Sequence, residues 1–448
     1  MRPQCPPVVK IFSAYSRAFT PRPHSAITRT GFRFFSREFT LTPAPPLTAS
    51  FERQDELFRQ AFAVLSEAIE KQAFPTASVA VTYKDHTVAL KSFGTIPLGG
   101  DSDLAVTPTT LFDLASLTKP IATTTAAALL YDHGLLELDA PVIGVIPEFL
   151  VDSCGESDPR RRDVTFRMIL AHSSGLPAYE KLFLKTHSRE DLLIAAFTTP
   201  LSADPATRAE YSDIGFILLG AALERLAGEP FDLFCQREIF GPLAMTNTTF
   251  NPPREIRNQI PPTADERVEI CGADTPFDKL RAGSVRQKPA TETPPRESPN
   301  NTRSTLRPRI IQGEVQDENA FILGGVAGHA GLFSTSEDLA RFAHAMLHGG
   351  SPILRPETVA LFTRRESAPA STSRALGWDT PSAPSQSGKY FGPRSFGHLG
   401  YTGTSLWIDP DRQLSVALLT NRTWPDCSNQ AIKQIRPQFH DLVIEALL

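Results

Sequence analysis

The chain is 448 residues long, 41% hydrophobic and 21% charged, the proportions of a globular, enzyme-sized protein of about two or three domains. Its net charge of −4 argues against nucleic acid or an anionic membrane surface as a partner. No apolar run approaches the ~18 residues that span a bilayer, so no transmembrane segment is expected.

Residues 1–50 carry Arg2, Lys10, Arg17, Arg22, Arg29, Arg33 and Arg37 against a single acid, Glu38. They lack the continuous apolar core of a secretory signal. Their Arg- and Ser-rich, acid-poor composition allows a transit peptide. A disordered basic tail, or a start placed too far upstream, is the simpler expectation. A cytoplasmic location follows by default, and a periplasmic one stays open if the start is misassigned. Cys5, Cys154, Cys235, Cys271 and Cys427 show no C-x-x-C spacing and read as mostly free thiols, not as a disulfide framework or a zinc site.

Folded sequence is expected from about Ser50. Leu57, Phe58, Ala61, Phe62, Leu65, Ala68 and Ile69 recur at helical spacing. Ala77–Tyr83 and Thr87–Phe93 then read as strands of a hairpin around Lys84-Asp85-His86. A helix follows Ser116 and runs to about His133, with Gly134 as its C-terminal cap. Pro120 is tolerated there because the first residues of a helix have no intrahelical N–H partner.

Residues 135–250 read as mostly helical. One helix starts near Thr165, and another covers Ile214–Ala227 before Gly228. Arg160-Arg161-Arg162 is expected in a solvated loop. Residues 272–308 are rich in Pro and charge, with one aromatic, Phe277; such a stretch cannot bury a core and reads as a disordered insertion. Ser334-Thr335-Ser336-Glu337 reads as a capping box. Strands at Thr404–Ile408 and Leu414–Leu419 flank a turn, and a last helix holds Ile432, Phe439 and Val443.

This order predicts an α+β fold (an α/β sandwich), with an antiparallel sheet whose strands come from both chain ends, flanked by helices, and an inserted all-helical domain. The expected boundaries are a tail at 1–50, an α/β domain at 51–115 and 313–448, a mostly helical domain at 116–266 and the insertion at 267–312.

Ser116-Leu117-Thr118-Lys119 is the only S-x-x-K in the chain. A serine hydroxyl needs a base within hydrogen-bond reach to act as a nucleophile near neutral pH. Helical spacing i, i+3 puts the amine beside the hydroxyl. Tyr211-Ser212-Asp213 precedes a helix: Tyr211 can shuttle a proton if a cation lowers its pKa, while Asp213 alone reads as a helix N-cap. His398-Leu399-Gly400-Tyr401 lies at a strand. There a basic residue and a glycine suit a substrate channel, and the next N–H can face a developing oxyanion. His172-Ser173-Ser174-Gly175-Leu176-Pro177 reads as a structural turn forming a wall of the site. Gln316-Asp317-Glu318 is a weaker candidate for the mouth of the site, with a surface loop the simpler expectation. His344 and His348 have i, i+4 spacing but no glutamate after the first histidine and no obvious third ligand, so no metal is expected.

The order S-x-x-K, Y-x-[ND], H-x-G resembles the serine β-lactamase and penicillin-binding-protein superfamily, above all its class C-like branch of esterases and D-aminopeptidases. LFDLASLTKP at 111–120, ILAHSSGLP at 169–177, YSDIGFILLG at 211–220 and FGHLGYTGTSLWIDP at 396–410 carry the resemblance, as does the stretch Gly324–Phe342. It implies the β-lactamase/transpeptidase-like fold, with Ser116 as the nucleophile of an acyl-enzyme. Lys119 and Tyr211 would share the base and acid roles. The N–H groups of Ser116 and Tyr401 would form the oxyanion hole, and Asp213, His398, Gly400 and Tyr401 would line the substrate. Asp213 stands where many members have asparagine. Its charge is expected to keep Lys119 protonated, leaving Tyr211, as phenolate, to accept the proton. The expected reaction is hydrolysis of an ester, β-lactam or D-amino-acid peptide carbonyl in a small-molecule or peptide substrate, with no cofactor. Esterase or peptidase activity is favoured over potent β-lactamase activity. The alternative is a non-catalytic or slowly acylating ligand sensor on the same fold.

Overall fold

A computed structural model describes residues 43–97, 103–266, 307 and 309–448. Most of the expected tail and insertion, at 1–42, 267–306 and 308, lies outside the described residues. Five strands precede the helical region: β1 (Thr48–Ala49), β2 (Thr76–Tyr83), β3 (His86–Pro97), β4 (Asp103–Ala105) and β5 (Phe112–Asp113). Four short ones follow it: β6 (Thr249–Phe250), β7 (Ala264–Asp265), β8 (Ile310–Ile311) and β9 (Leu332–Ser334). The last three are β10 (Phe396–Leu399), β11 (Ser405–Asp409) and β12 (Leu414–Thr420). The helices used below are α1 (Arg59–Glu70), α2 (Thr125–Asp132), α3 (Phe166–Leu170), α4 (Arg189–Phe197), α5 (Asp213–Ala227), α6 (Phe231–Cys235), α7 (Glu318–Ile322), α8 (Ser336–Leu347), α9 (Pro356–Thr363) and α10 (Ile432–Glu445).

The main sheet runs β1-β3-β2-β12-β11-β10, with β4 paired to β3. Strands from the two chain ends meet at its centre, where β2 and β12 pair antiparallel from Leu414↔Tyr83 to Thr420↔Ala77. Among the described strands, β1 alone is parallel to its neighbour. Alternate residues serve opposite faces. Val79, Val81, Val416 and Leu418 pack with Phe62 of α1 and Phe439 and Val443 of α10. Ala80, Ala417 and Leu419 face the other core, with Leu339 and Phe342 of α8. Both faces are covered, so β2 is buried almost end to end. Each large side chain fully buried there contributes about 1.5–3 kcal/mol. The small residues opposite α8 let that helix sit close, and Ser336 Oγ lies 2.8 Å from Ser78 Oγ of β2.

Several local expectations are corrected. Residues 48–49, assigned by composition to the tail, pair with β3. Residues 307 and 309–312, assigned to the insertion, belong to the fold. Arg307 is buried against Glu266 (2.6 Å) and donates to Val315 O and Gln316 O, and β8 pairs with β7. Composition could not reveal these pairings, which depend on partners distant in sequence. The helix after Ser116 is wound in stages, 3-10 at Ala115–Leu117, π at Lys119–Thr124 and then α2. Pro120 lacks the N–H for a regular start, and Thr125 Oγ1 donates to its carbonyl. The cap of α8 is Thr335, which accepts from Asp338 N, not Ser334. Arg161 is not in a solvated loop. It is fully buried and donates to the carbonyls of Phe149, Phe197 and Thr199, whereas Arg160 pairs with Asp158 and Asp204. Cys427 is disulfide-bonded, while Cys154 carries an exposed thiol and Cys235 a free, buried one.

Candidate active site

Ser116 lies at the turn from β5 into the helical segment. Asp113, at the end of β5, accepts from Ala115 N at 2.8 Å and from Gln316 N at 2.7 Å. Burial pushes this carboxyl up to about 6. The turn holds Ala115 at φ 47°, a left-handed conformation that costs an alanine roughly 1–2 kcal/mol. Such strain persists where the surroundings over-determine it, commonly at functional sites.

Lys119 is fully buried. Its Nζ donates to Ser116 Oγ (3.0 Å), Asp213 Oδ1 (2.6 Å) and His329 O (2.9 Å), three acceptors for the three hydrogens of an ammonium group. Burial, the largest single influence, lowers its pKa, but the Asp213 carboxylate and Tyr211 together outweigh it and the net shift is upward.

Tyr211 donates its hydroxyl to the same Ser116 Oγ at 2.6 Å. Burial, and then the Asp213 charge, push its phenol up to about 12, with Lys119 pulling the other way. Tyr211 therefore rests as a phenol, not as the expected phenolate. His172 accepts from Ser212 N at 3.0 Å, and its ring lies 4.7 Å from that of Tyr211 and 5.0 Å from that of Phe216. The turn at 172–177 thus buttresses the tyrosine.

Asp213 is the first residue of α5, but the expected capping role belongs to Ser212, whose hydroxyl accepts from Gly215 N. With that work done by its neighbour, the Asp213 carboxylate is left to pair with Lys119.

His398 is buried on β10, the edge strand, with its ring 6.1 Å from that of Tyr211. The turn after it is stitched to the nucleophile segment: Thr402 Oγ1 donates to Asp113 O and Thr404 Oγ1 to Leu114 O. A side chain at Gly400 would come within 2.5 Å of Leu114 O. Glycine is therefore required for the backbone of 400–401 to approach Ser116. The structure brings Ser116, Lys119, Tyr211 and Asp213 into one hydrogen-bonded cluster and seats His398, Gly400 and Tyr401 beside it.

Sequence reasoning missed the group behind Lys119. α5 and the segment at 327–329 touch through glycines: a Cβ on Gly220 would lie 2.8 Å from Gly328 Cα. That contact delivers the His329 carbonyl to Lys119. His329 Nε2 is 2.8 Å from Asp317 Oδ1, and Asp317 caps α7 through Ala320 N. Glu318 accepts from Tyr179 at 3.3 Å; burial and the neighbouring Asp317 push it up to about 7. Gln316 and Glu318 are thus buried and Asp317 partly so, a support for the site in place of the expected surface loop. Gly328 and Gly331 around His329 were the available signal for a close backbone approach; Tyr179 carried none.

A serine hydroxyl shared by a lysine amine and a tyrosine phenol, beside a glycine-bearing edge strand, defines a serine hydrolase that works on acyl groups. The beta-lactamase family model matches residues 58–436, and the chain belongs to that family. It is 32% identical over 371 residues to the N-acetylmuramyl-L-alanine amidase of Bacillus subtilis, covering 78% of this chain and 77% of that one. It is 30% identical over 404 residues to a protein of Escherichia coli named "Putative D-alanyl-D-alanine carboxypeptidase", covering 85% and 86%. In three dimensions it is similar to EstCE1, described as a hydrolase with promiscuous acyltransferase activity. That match has a TM-score of 0.63 at 20% identity and covers 87% of this chain and 99% of the other. No described helix is long and apolar enough to cross a membrane.

Proposed function

We propose that the protein hydrolyses the terminal amide of D-amino-acid peptides through an acyl-enzyme on Ser116, and accepts simple esters by the same route. The observation that carries this reading is the pair of donors, Lys119 Nζ at 3.0 Å and Tyr211 Oη at 2.6 Å, on one serine oxygen. In the competent form this pair has lost one proton. Ser116 Oγ attacks the carbonyl carbon and its hydrogen passes to the Lys119–Tyr211 pair. The N–H groups of Ser116 and Tyr401 receive the negative oxygen. The pair then protonates the leaving amine or alcohol, and water repeats the sequence to release the acid.

Two things support a peptide substrate: the names of the amidase and carboxypeptidase relatives, and a cleft beside Gly400 and Tyr401. Arg422, Lys433 and Arg436 line that cleft; burial and then the charges of Arg422 and Arg436 hold Lys433 below the usual lysine range, and burial and then Arg422 lower Arg436. Such a lining suits a substrate carboxylate.

The test is turnover of p-nitrophenyl acetate and release of D-alanine from a D-Ala-D-Ala peptide, with intact-mass detection of the adduct, by wild type and Ser116→Ala. Activity and adduct that both vanish in Ser116→Ala are expected. Activity that survives would falsify the assignment. One observation favours a second reading: Lys119 and Tyr211 both hold their protons near neutral pH, as in a slowly acylating sensor. A stoichiometric adduct without turnover, even at pH 9, would establish it instead.

A further inference from the structure

His344 and His348 lie at the C-terminal end of α8, and a third ligand is missing from their own stretch of sequence. The fold supplies one from 263 residues before His348. Asp85 occupies the tip of the β2–β3 hairpin, where Lys84 and Asp85 both have positive φ, 45° and 65°. Its Oδ1 lies 2.6 Å from His348 Nε2 and 3.9 Å from His344 Nδ1. The two imidazole rings are 4.5 Å apart, and one ligand atom from each of the three residues falls within 4.8 Å of the others.

The remaining nitrogen of His344 fixes its role. Nε2 is 2.7 Å from the carbonyl oxygen of Pro45, and a carbonyl only accepts. Nε2 therefore carries the hydrogen, and Nδ1 turns its lone pair toward Asp85. A backbone carbonyl behind the distal nitrogen is the usual support of a metal-bound histidine. It leaves the lone pair of His344 Nδ1 3.9 Å from Asp85 Oδ1, too far for a hydrogen bond, while His348 Nε2 sits 2.6 Å from the same oxygen; with the hydrogen of His348 moved to Nδ1, all three atoms offer lone pairs to one cation.

We infer that Asp85, His344 and His348 form a binding site for a zinc-class divalent transition metal, with water in the fourth position. Two imidazoles and one carboxylate suit zinc, not calcium or magnesium, which take oxygen ligands. Ligand bonds of about 2.0–2.2 Å in a tetrahedron place ligand atoms roughly 3.3–3.5 Å apart, between the spacings seen here. Side-chain exposures of 36% at Asp85 and 20% at His348 leave a way in.

The site is remote from the chemistry. Asp85 joins β2 to β3, and β12 and β11 separate that pair from β10. Its function is to clamp: it ties the hairpin tip to α8 and, through Pro45 and the Thr48 N to Asp85 O bond of 3.0 Å, to the entering chain.

The experiment uses the full chain stripped with a chelator and titrated with Zn²⁺ by calorimetry, with Co²⁺ absorption as a second readout. The variants are Asp85→Asn, which keeps a residue at ease in the left-handed turn, and His348→Ala. One equivalent of Zn²⁺ should bind to the wild type and raise its melting temperature. Both variants should bind about tenfold more weakly or worse, with ester turnover unchanged. Failure of the wild type to bind one equivalent overturns the assignment, as does binding left within about twofold by either variant.

Discussion

Replacing Asp213 by asparagine tests what the site does with its protons. Asp213 Oδ1 sits 2.6 Å from Lys119 Nζ, with Lys119 wholly enclosed and Asp213 18% exposed. Its charge raises Lys119 and Tyr211 together. At that separation and an effective dielectric near 20, the attraction to Lys119 is about 6 kcal/mol, a ceiling of roughly four pH units. An amide oxygen still accepts the hydrogen bond, and shifts beside a single countercharge run to about 1–3 units. The Lys119–Tyr211 pair titrates as a unit, and its competent form is the deprotonated one. Lowering both values exposes that form at lower pH. The acidic limb of kcat/KM should therefore move down by ~1–3 pH units, measured with p-nitrophenyl acetate from pH 5 to 10. Ser212 keeps the cap of α5, so the helix start should lose only about 0.3–1 kcal/mol, while the lost pairing with enclosed Lys119 should cost the fold about 1–4 kcal/mol, the same shift expressed as energy. A folded Asp213→Asn protein whose limb has not moved would refute the reasoning.

Three further outcomes are expected. Arg161→Ala strands the buried carbonyls of Phe149, Phe197 and Thr199. It should destabilise by on the order of 3 kcal/mol, seen as a lower urea midpoint at unchanged slope; a midpoint like that of wild type would contradict the role. Glu318 rises from 4.5 to about 7 on folding. Between those values the folded state holds a proton that the unfolded chain has lost, so stability falls as pH rises through the window. Glu318→Gln should flatten that fall and gain up to about 3 kcal/mol at pH 8 relative to pH 4; parallel stability profiles for variant and wild type would dismiss it. Lys433→Gln should raise KM for a peptide ending in carboxylate by roughly two- to fivefold and leave KM for the neutral ester alone. An equal effect on both substrates would remove Lys433 from the carboxylate cleft.

What could be read beforehand follows from the range of the forces involved. The S-x-x-K spacing needs one helical turn, so the Ser116–Lys119 contact was visible in four residues. The hairpin strands, α5 with Gly228 after it and the last helix announced themselves through periodicity and caps, which are also local. The Asp213 pairing was anticipated through the resemblance, which sets Asp213 where many members have asparagine; from its own motif Asp213 reads as a helix cap, and it is Ser212 that takes the cap and frees the carboxylate. Tyr211 was misjudged because the cation was weighed without burial or the Asp213 charge. Arg161 reads like Arg160 and Arg162 in sequence; its enclosure depends on carbonyls contributed by Phe149 and Phe197. Asp85 and His348, or Glu266 and Arg307, meet only after the whole topology has formed, and no window of sequence contains both partners.

The union of β2 with β12 has a consequence for biosynthesis. The ladder from Ala77 to Tyr83 has no partner on its inner side until Leu414–Thr420, far along the chain, has been made. Contacts so distant along the chain are slow to form, and β10, with the turn that seats Gly400 against Leu114, is synthesised only shortly before. A ribosome-bound nascent chain can thus hold Ser116 and Lys119 side by side while the wall they work against is still missing. Nucleophilic power should arrive late and all at once, when the last three strands close the sheet.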